Sequence, residues 1–252
     1  MSALPGDFWE TLPLGAGVTP LTRDANGLAA FDKPAGVLSH PNGSEDEARG
    51  LLTCRYDKEK QCFLWRAADG TTRQLWLLNR LDSATSGVIL TAGSEKLALA
   101  VRDHYAKKQV NKIYQALVFG KPQLNYEFWH DMLAVKAARG QIRTSIFGNV
   151  PAETRFQLVK HTQKAFSTSL IRLEPRTGRS HQLRVQCAKR RLPIIGDQTY
   201  GDFTLNRSFA KANKTKRLFL HSLETSFTYE FAGKKFDFKA NAPLPREFTL
   251  LY

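Results

Sequence analysis

From Lys112 onward the chain reads as one extended stretch after another, and that succession constrains its fold more than any other feature. KIYQALVFG at 112–120 is a strand rich in β-branched and aromatic residues. QIRTSIFG (141–148), AETRFQLVKH (152–161), FSTSLIRLEP (166–175), LFLHSLETSFTYE (218–230) and KKFDFKA (234–240) have the same character. Helical stretches are few and do not alternate regularly with strands. That pattern predicts an α+β fold around a mixed, mostly antiparallel sheet.

The first hundred residues are more varied. Residues 1–20 hold Pro5, Pro13 and Pro20 and read as an irregular arm. Its Phe8, Trp9, Leu12 and Leu14 are expected to lie on the body of the protein. LAAF at 28–31 reads as a buried strand closed by Lys33-Pro34. ARGLLTCRYDKE at 48–59 fits a short helix. Asp69-Gly70, between QCFLWRA and RQLWLLNRL, is a hairpin turn signal. SEKLALAVRDHYAKKQ at 94–109 reads as a helix capped by Ser94, with Glu95 in its first turn and Lys107 and Lys108 in its last.

Charge narrows the partner. Among 252 residues, 37 Lys and Arg face 23 Asp and Glu, a net charge of +14. Such an excess points to a polyanion, nucleic acid before an anionic membrane surface. The N-terminus lacks the basic flank and apolar core of a signal peptide. No apolar run approaches the roughly 18–20 residues that span a bilayer. Cys54, Cys62 and Cys187 are an odd, sparse set without CxxC spacing, which suggests reduced thiols and a cytoplasmic setting. The six histidines are scattered, so no metal site is expected.

The basic residues gather in three places: Lys107, Lys108 and Lys112; Arg176, Arg179, Arg184, Lys189, Arg190 and Arg191; and a loop-like stretch over 206–217. In the middle group Thr177-Gly178-Arg179 looks like a turn, and Ser180 can cap a helix through HQLRVQCAKRR. Leu183 and Cys187 then fall one turn apart and pack inward. Lys189–Arg191 suit a helix C-terminus equally well as a phosphate contact. Arg184 does not. It sits in the first turns beside an apolar row, and a guanidinium there needs a carboxylate or phosphate.

Asp82 stands between an apolar run and the loop Ser83-Ala84-Thr85-Ser86-Gly87. Its small side chains would let a substrate approach closely. Arg80 and Asp82 share a face if the segment is extended. Alone, this is no more than an Asp capping a turn. Together with four other segments it becomes specific. NRLDSATSG at 79–87 resembles the HRLDxxTSG signature of the RluA-type pseudouridine synthases. FDKPAGVLSHP at 31–41 resembles that family's KPxG turn, and KIYQALVFG its KxYxAxVxG strand. PRTGRSHQLRVQ at 175–186, continued by PIIGDQTYG at 193–201, is similar to its TGRxHQxR and PxxGDxxYG segments. RLFLHS at 217–222 is similar to its RxxLHA strand. The matches keep the family's order over about 27–240. Asn79 stands where the family usually has His, and Ser180 where it has Thr.

The resemblance implies a catalytic fold with a central cleft over 27–252, an arm over 1–26, and no S4 domain. It implies isomerisation of uridine in ribosomal or transfer RNA, with no cofactor and no metal. Asp82 would be the catalytic carboxylate, attacking C1′, adding to the ring or acting as base at C2′. Arg184 would pair with it. Tyr114 would stack on the uracil or take the C5 proton, although a free phenol titrates near about pH 10. Leu183 would wall the uracil pocket, and Arg80 would help draw the nucleotide from its stack. Lys112, Arg179, Lys189, Arg190 and Arg191 are the expected RNA contacts. A monomer with no obligatory protein partner is the expectation. A non-catalytic RNA-binding factor is the reading to weigh against this one.

Overall fold

The computed structural model describes residues 7–138 and 141–249. In chain order it contains β1 (Thr19–Arg23), β2 (Leu28–Lys33), a 3-10 turn (Ser44–Arg49), β3 (Arg55–Asp57), β4 (Cys62–Arg66), β5 (Thr72–Leu77), β6 (Ser86–Ala92) and α1 (Glu95–Ala106). There follow β7 (Asn111–Phe119), β8 (Tyr126–Ala138), β9 (Gln141–Gln163), β10 (Ser167–Pro175), α2 (Gln182–Lys189), α3 (Phe203–Asn213), β11 (Leu220–Phe231), β12 (Lys234–Asn241) and α4 (Arg246–Thr249). The pairs β1–β2, β2–β6, β3–β4, β4–β5, β5–β6, β7–β10, β9–β10, β8–β9 and β11–β12 are antiparallel, and the architecture is the α+β class read from the sequence. Two units divide the chain. The first runs to Val110 and resumes over Glu224–Ala242; the second takes Asn111–Leu223 and the segment from Pro243.

In the first unit β2 pairs with β1 and β6, β6 with β5, β5 with β4, and β4 with β3; β11 forms a hairpin with β12. Period-2 alternation sends Leu28 and Ala30 to one core, with Trp76, Val88, Leu90 and Phe227. Ala29 and Phe31 go to the other, with Leu51, Leu52, Phe63 and Ile89. Both faces of β2 are therefore covered, which is why LAAF carries no polar alternation. Helix α1 closes one core through Leu97, Ala98 and Val101. Ser94 Oγ accepts from Leu97 N–H at its start, the cap foreseen. The arm closes the other core. Phe8 is 2% exposed, with Trp9, Leu12 and Leu14 packed beside it. Burying a side chain of that size contributes about 1.5–3 kcal/mol. Tyr229 of β11 donates its hydroxyl proton to Asp24 Oδ2 at 2.5 Å and accepts from Asn26 Nδ2 at 2.8 Å, tying residues more than 200 positions apart.

The β4–β5 hairpin turns at Asp69-Gly70 as foreseen, with Gly70 at φ +80° and Asp69 Oδ1 accepting from Thr71 N–H. Residues 48–59 do not form the expected helix. Leu51 and Leu52 are both completely buried, and Arg55–Asp57 pairs with β4. An extended path places those side chains in the core where one helical turn would turn part of the segment outward.

In the second unit the strand order is β7, β10, β9, β8. Tyr114 lies opposite Leu173, and Leu173 opposite Phe156. Cross-strand partners share a face, so Tyr114 faces the side against which α2 packs. There Val185 meets Leu133 and Ala152, and Trp129 stacks on Phe156 at 4.9 Å. A second apolar cluster joins Phe119, Phe166, Phe209, Phe219 and Phe248. Phe209 belongs to α3, so the stretch expected to be a basic loop is helical up to Asn213. Asp202 caps it, accepting from Thr204 and Leu205 N–H.

Candidate active site

Asp82 lies in the first unit, on a loop fixed through main-chain groups. Beyond β5, Leu78 N–H still donates to Leu90 O. At Asn79 the ladder passes to a side chain: Asn79 Oδ1 accepts from Leu90 N–H at 2.7 Å. The departure from His at this position therefore leaves a residue that ties the start of the loop to β6. Arg80 is exposed. Leu81 is buried, and Ser39 Oγ both accepts its N–H at 2.9 Å and donates to its carbonyl at 2.7 Å. Asp82 is half-buried, and its carbonyl accepts from Thr85 N–H at 3.0 Å, closing a turn. Ser83 O accepts from Gly36 N–H at 2.7 Å and from Lys33 Nζ at 3.0 Å. Thr85 and Ser86 are buried rather than presented to the surface.

Lys33 is the unusual member. It is wholly buried, and its ammonium also donates to Pro34 O at 3.0 Å and Val37 O at 2.7 Å. Burial pushes it down to about 7, against the attraction of the Asp82 and Asp32 carboxylates. One lysine thus closes the KPAG turn on itself and fastens it to the residue after Asp82. The resemblance pointed to this segment, but no role for Lys33 was read from it.

The second unit holds Tyr114, Lys112, Leu183 and Arg184. Tyr114 and Lys112 are half-buried on β7. Lys112 Nζ reaches Thr177 O at 3.5 Å, and burial pushes it down to about 8. The turn before α2 is stitched by Gln182. Its Oε1 accepts from Thr177 Oγ1 at 2.7 Å and from Arg179 N–H at 3.1 Å, and its Nε2 donates to Glu153 O and Thr154 Oγ1. Ser180 is not the cap. His181 occupies that position, in the left-handed region at φ +54°, with its Nδ1 2.9 Å from Tyr200 Oη. Leu183 and Cys187 face inward, 7% and 0% exposed.

Arg184 has the carboxylate partner its burial demanded, from a segment to which no role had been given. Its Nε donates to Asp197 Oδ2 at 2.8 Å and its Nη2 to Asp197 Oδ1 at 2.7 Å, a bidentate fork. Tyr200 lies 5.2 Å beneath the guanidinium. Burial pushes the Asp197 carboxyl up, but the Arg184 fork and the N–H groups of Tyr200 and Thr199 together hold it below the usual carboxylate range. The turn that carries Asp197 admits no side chain at Gly196, where φ is +78° and a Cβ would lie 1.7 Å from Arg217 O. Asn206 braces it, accepting from Gly196 N–H and donating to Asp197 O.

The remaining expected RNA contacts divide. Lys189 Nζ and Arg190 Nη1 close on the buried Asp131 carboxylate at 2.5 and 2.9 Å, and Arg190 lies 4.4 Å over Trp129. Arg179 Nε donates to Pro151 O at 3.3 Å. Arg191 is exposed at φ +57°, just past the helix end.

Comparison with known proteins adds to this geometry. Residues 27–189 match the family model described as RNA pseudouridylate synthase. The tRNA pseudouridine synthase C of Vibrio cholerae serotype O1 is 33% identical over 215 residues, covering 81% of this chain and 83% of that protein. The ribosomal large subunit pseudouridine synthase C of Buchnera aphidicola is 30% identical over 212 residues, 83% of this chain and 63% of that one. Human RNA Pseudouridylate Synthase Domain Containing 1 shares the fold with a TM-score of 0.65 at 20% identity, over 90% of this chain and 83% of that one.

Proposed function

This chain belongs to the RNA pseudouridylate synthase family and is an isomerase of that class, and from that premise we propose that it converts specific uridines of transfer or ribosomal RNA to pseudouridine with Asp82 as the catalytic carboxylate. The observation that carries the reading is the construction of the Asp82 loop. Leu81 and Ser83, on either side, are fixed by four hydrogen bonds to Lys33, Gly36 and Ser39. A reacting group is most effective when its position is settled before substrate arrives. Transfer RNA is the first substrate to test, since the similar proteins of Salmonella typhi, Vibrio cholerae and Vibrio vulnificus are tRNA pseudouridine synthases by name.

In the proposed reaction the N1–C1′ bond breaks, the uracil turns over, and C5 bonds to C1′. The C5 proton leaves to solvent and N1 ends protonated, so atoms balance without a co-reactant. Asp82 acts at the nucleoside. Arg184, braced by Asp197, keeps that carboxylate oriented, a pairing carried by the resemblance. Tyr114 stacks on the uracil, and Leu183 walls its pocket. Arg80 assists extraction of the nucleotide, which costs a few kcal/mol. Lys112 and Arg191 contact phosphate, together with Arg179, Lys189 and Arg190 where their protein partners leave donors over. The enzyme acts as a monomer in the cytoplasm; among the described residues no helix is long and apolar enough to cross a membrane.

Mapping pseudouridine in cellular RNA with and without the gene tests the reading and names the uridine. Purified protein should release tritium from 5-tritiated uridine in the unmodified RNA of the deletion strain. No site lost on deletion, and no tritium released, overturns it.

A further inference from the structure

Beside the Asp82 loop the first unit carries a stacked aromatic pair that the reaction above does not use. The rings of His40 and Tyr56 lie 4.5 Å apart with planes 11° from parallel. Tyr56 rests edge-on against buried Phe63 at 5.0 Å, so the pair stands on core. His40 directly follows Ser39, the residue bonded to both main-chain groups of Leu81. The stack is therefore fastened to the segment that presents Asp82.

Two exposed cations flank it. Burial lowers the proton affinity of His40, and Arg80 and Lys58 lower it further, against the pull of the Pro41 carbonyl. Lys58 Nζ donates to Asn42 O at 2.5 Å, and neither Lys58 nor Arg80 forms an ion pair among the described residues. The imidazole Nδ1 lies 2.9 Å from Pro41 O, an acceptor only, which assigns the proton to Nδ1. In the neutral ring Nε2 is then an acceptor, suited to an N–H on a base edge and unsuited to a phosphate. The two cations supply what a phosphate needs.

We propose that His40, Tyr56, Lys58 and Arg80 form a subsite for a nucleotide neighbouring the target uridine, with its base N–H edge on His40 and its phosphate on Lys58 and Arg80. The inference rests on the reading that the substrate is RNA, and it adds a position at which sequence is read.

The test uses a synthetic stem-loop built around the mapped uridine, with an abasic residue walked through each neighbouring position. One such position should weaken binding by about tenfold in the wild type, the upper end of the loss for one hydrogen bond. In His40→Ala that penalty should vanish while the others persist. Lys58→Gln, an exposed change that leaves the core intact, should weaken binding about uniformly and reduce the salt slope by about one unit. It keeps the proposal testable if His40→Ala does not fold. Identical abasic profiles in wild type and His40→Ala, or an unchanged salt slope in Lys58→Gln, overturn the subsite. Tritium release by the wild type from the intact stem-loop separates the two failures: release with unchanged profiles sinks only the subsite, whereas no release sinks the isomerase reading beneath it.

Discussion

Asp82 and Arg184 are immobilised by opposite means. Around Asp82 the first unit uses main-chain carbonyls and N–H groups, gathered by one buried lysine and one serine. Around Arg184 the second unit uses a side-chain fork to Asp197, whose own turn is braced by Asn206 and a glycine without room for a Cβ. A loop held by its backbone tolerates changes in its side chains, so Asp82 itself should be replaceable without loss of fold. A buried ion pair tolerates almost nothing, because removing either partner strands a charge.

That contrast can be broken in order of effect. Asp82→Asn should lower tritium release by more than about a thousandfold while thermal midpoint and RNA affinity stay close to the wild type. A large drop in melting temperature would show that the loop depends on the side chain after all. Asp197→Asn should do the reverse first. It should cost about 3–5 kcal/mol in a urea titration, with activity falling as Arg184 loses its anchor. Arg184→Lys should not rescue, since an ammonium cannot make the fork.

Lys33→Met sharpens the comparison through pH. The folded-state value of Lys33 is pushed down to about 7 from 10.5. Between those limits the unfolded chain keeps the proton and the folded chain gives it up, so this group makes the wild type more stable as pH rises through the window. The stability gap between wild type and Lys33→Met should widen from pH 7 upward, by at most about 1.4 kcal/mol per pH unit. A gap independent of pH would mean the lysine stays charged. Ser39→Ala should cost about 1–2 kcal/mol and lower kcat more than it raises KM. Arg191→Ala should be smallest, a severalfold loss of RNA affinity and about one unit of salt slope.

Where the signal was local, the sequence was legible. Ser94 and its helix, the Asp69-Gly70 hairpin and the burial of LAAF each follow from residues within a few positions of one another. The span of α2 followed too, but not its start, because Gln182 caps the turn with groups from β9 that no local pattern reveals. Helix α3 was hidden because a polar, basic stretch with Phe209 as its one bulky apolar residue looks like a solvated loop, and its cap lies outside that stretch. The need for a carboxylate at Arg184 could be argued from burial alone. Asp197 as its holder could not, since thirteen residues of chain say nothing about distance. Lys189 and Arg190 illustrate the same gap: a run of cations looks free until Asp131 is found beneath it.

The hydroxyl of Tyr229 resting on Asp24 has a consequence for biosynthesis. The unit begun first waits long for its last strands, because β11 and β12 reach the ribosome exit only after residues 111–219 have been made. Until then the edge that awaits them is uncovered, and the nascent chain depends on slow, long-range closure rather than on local pairing. Truncation just before Glu224 should therefore yield a species that aggregates through its uncovered first unit.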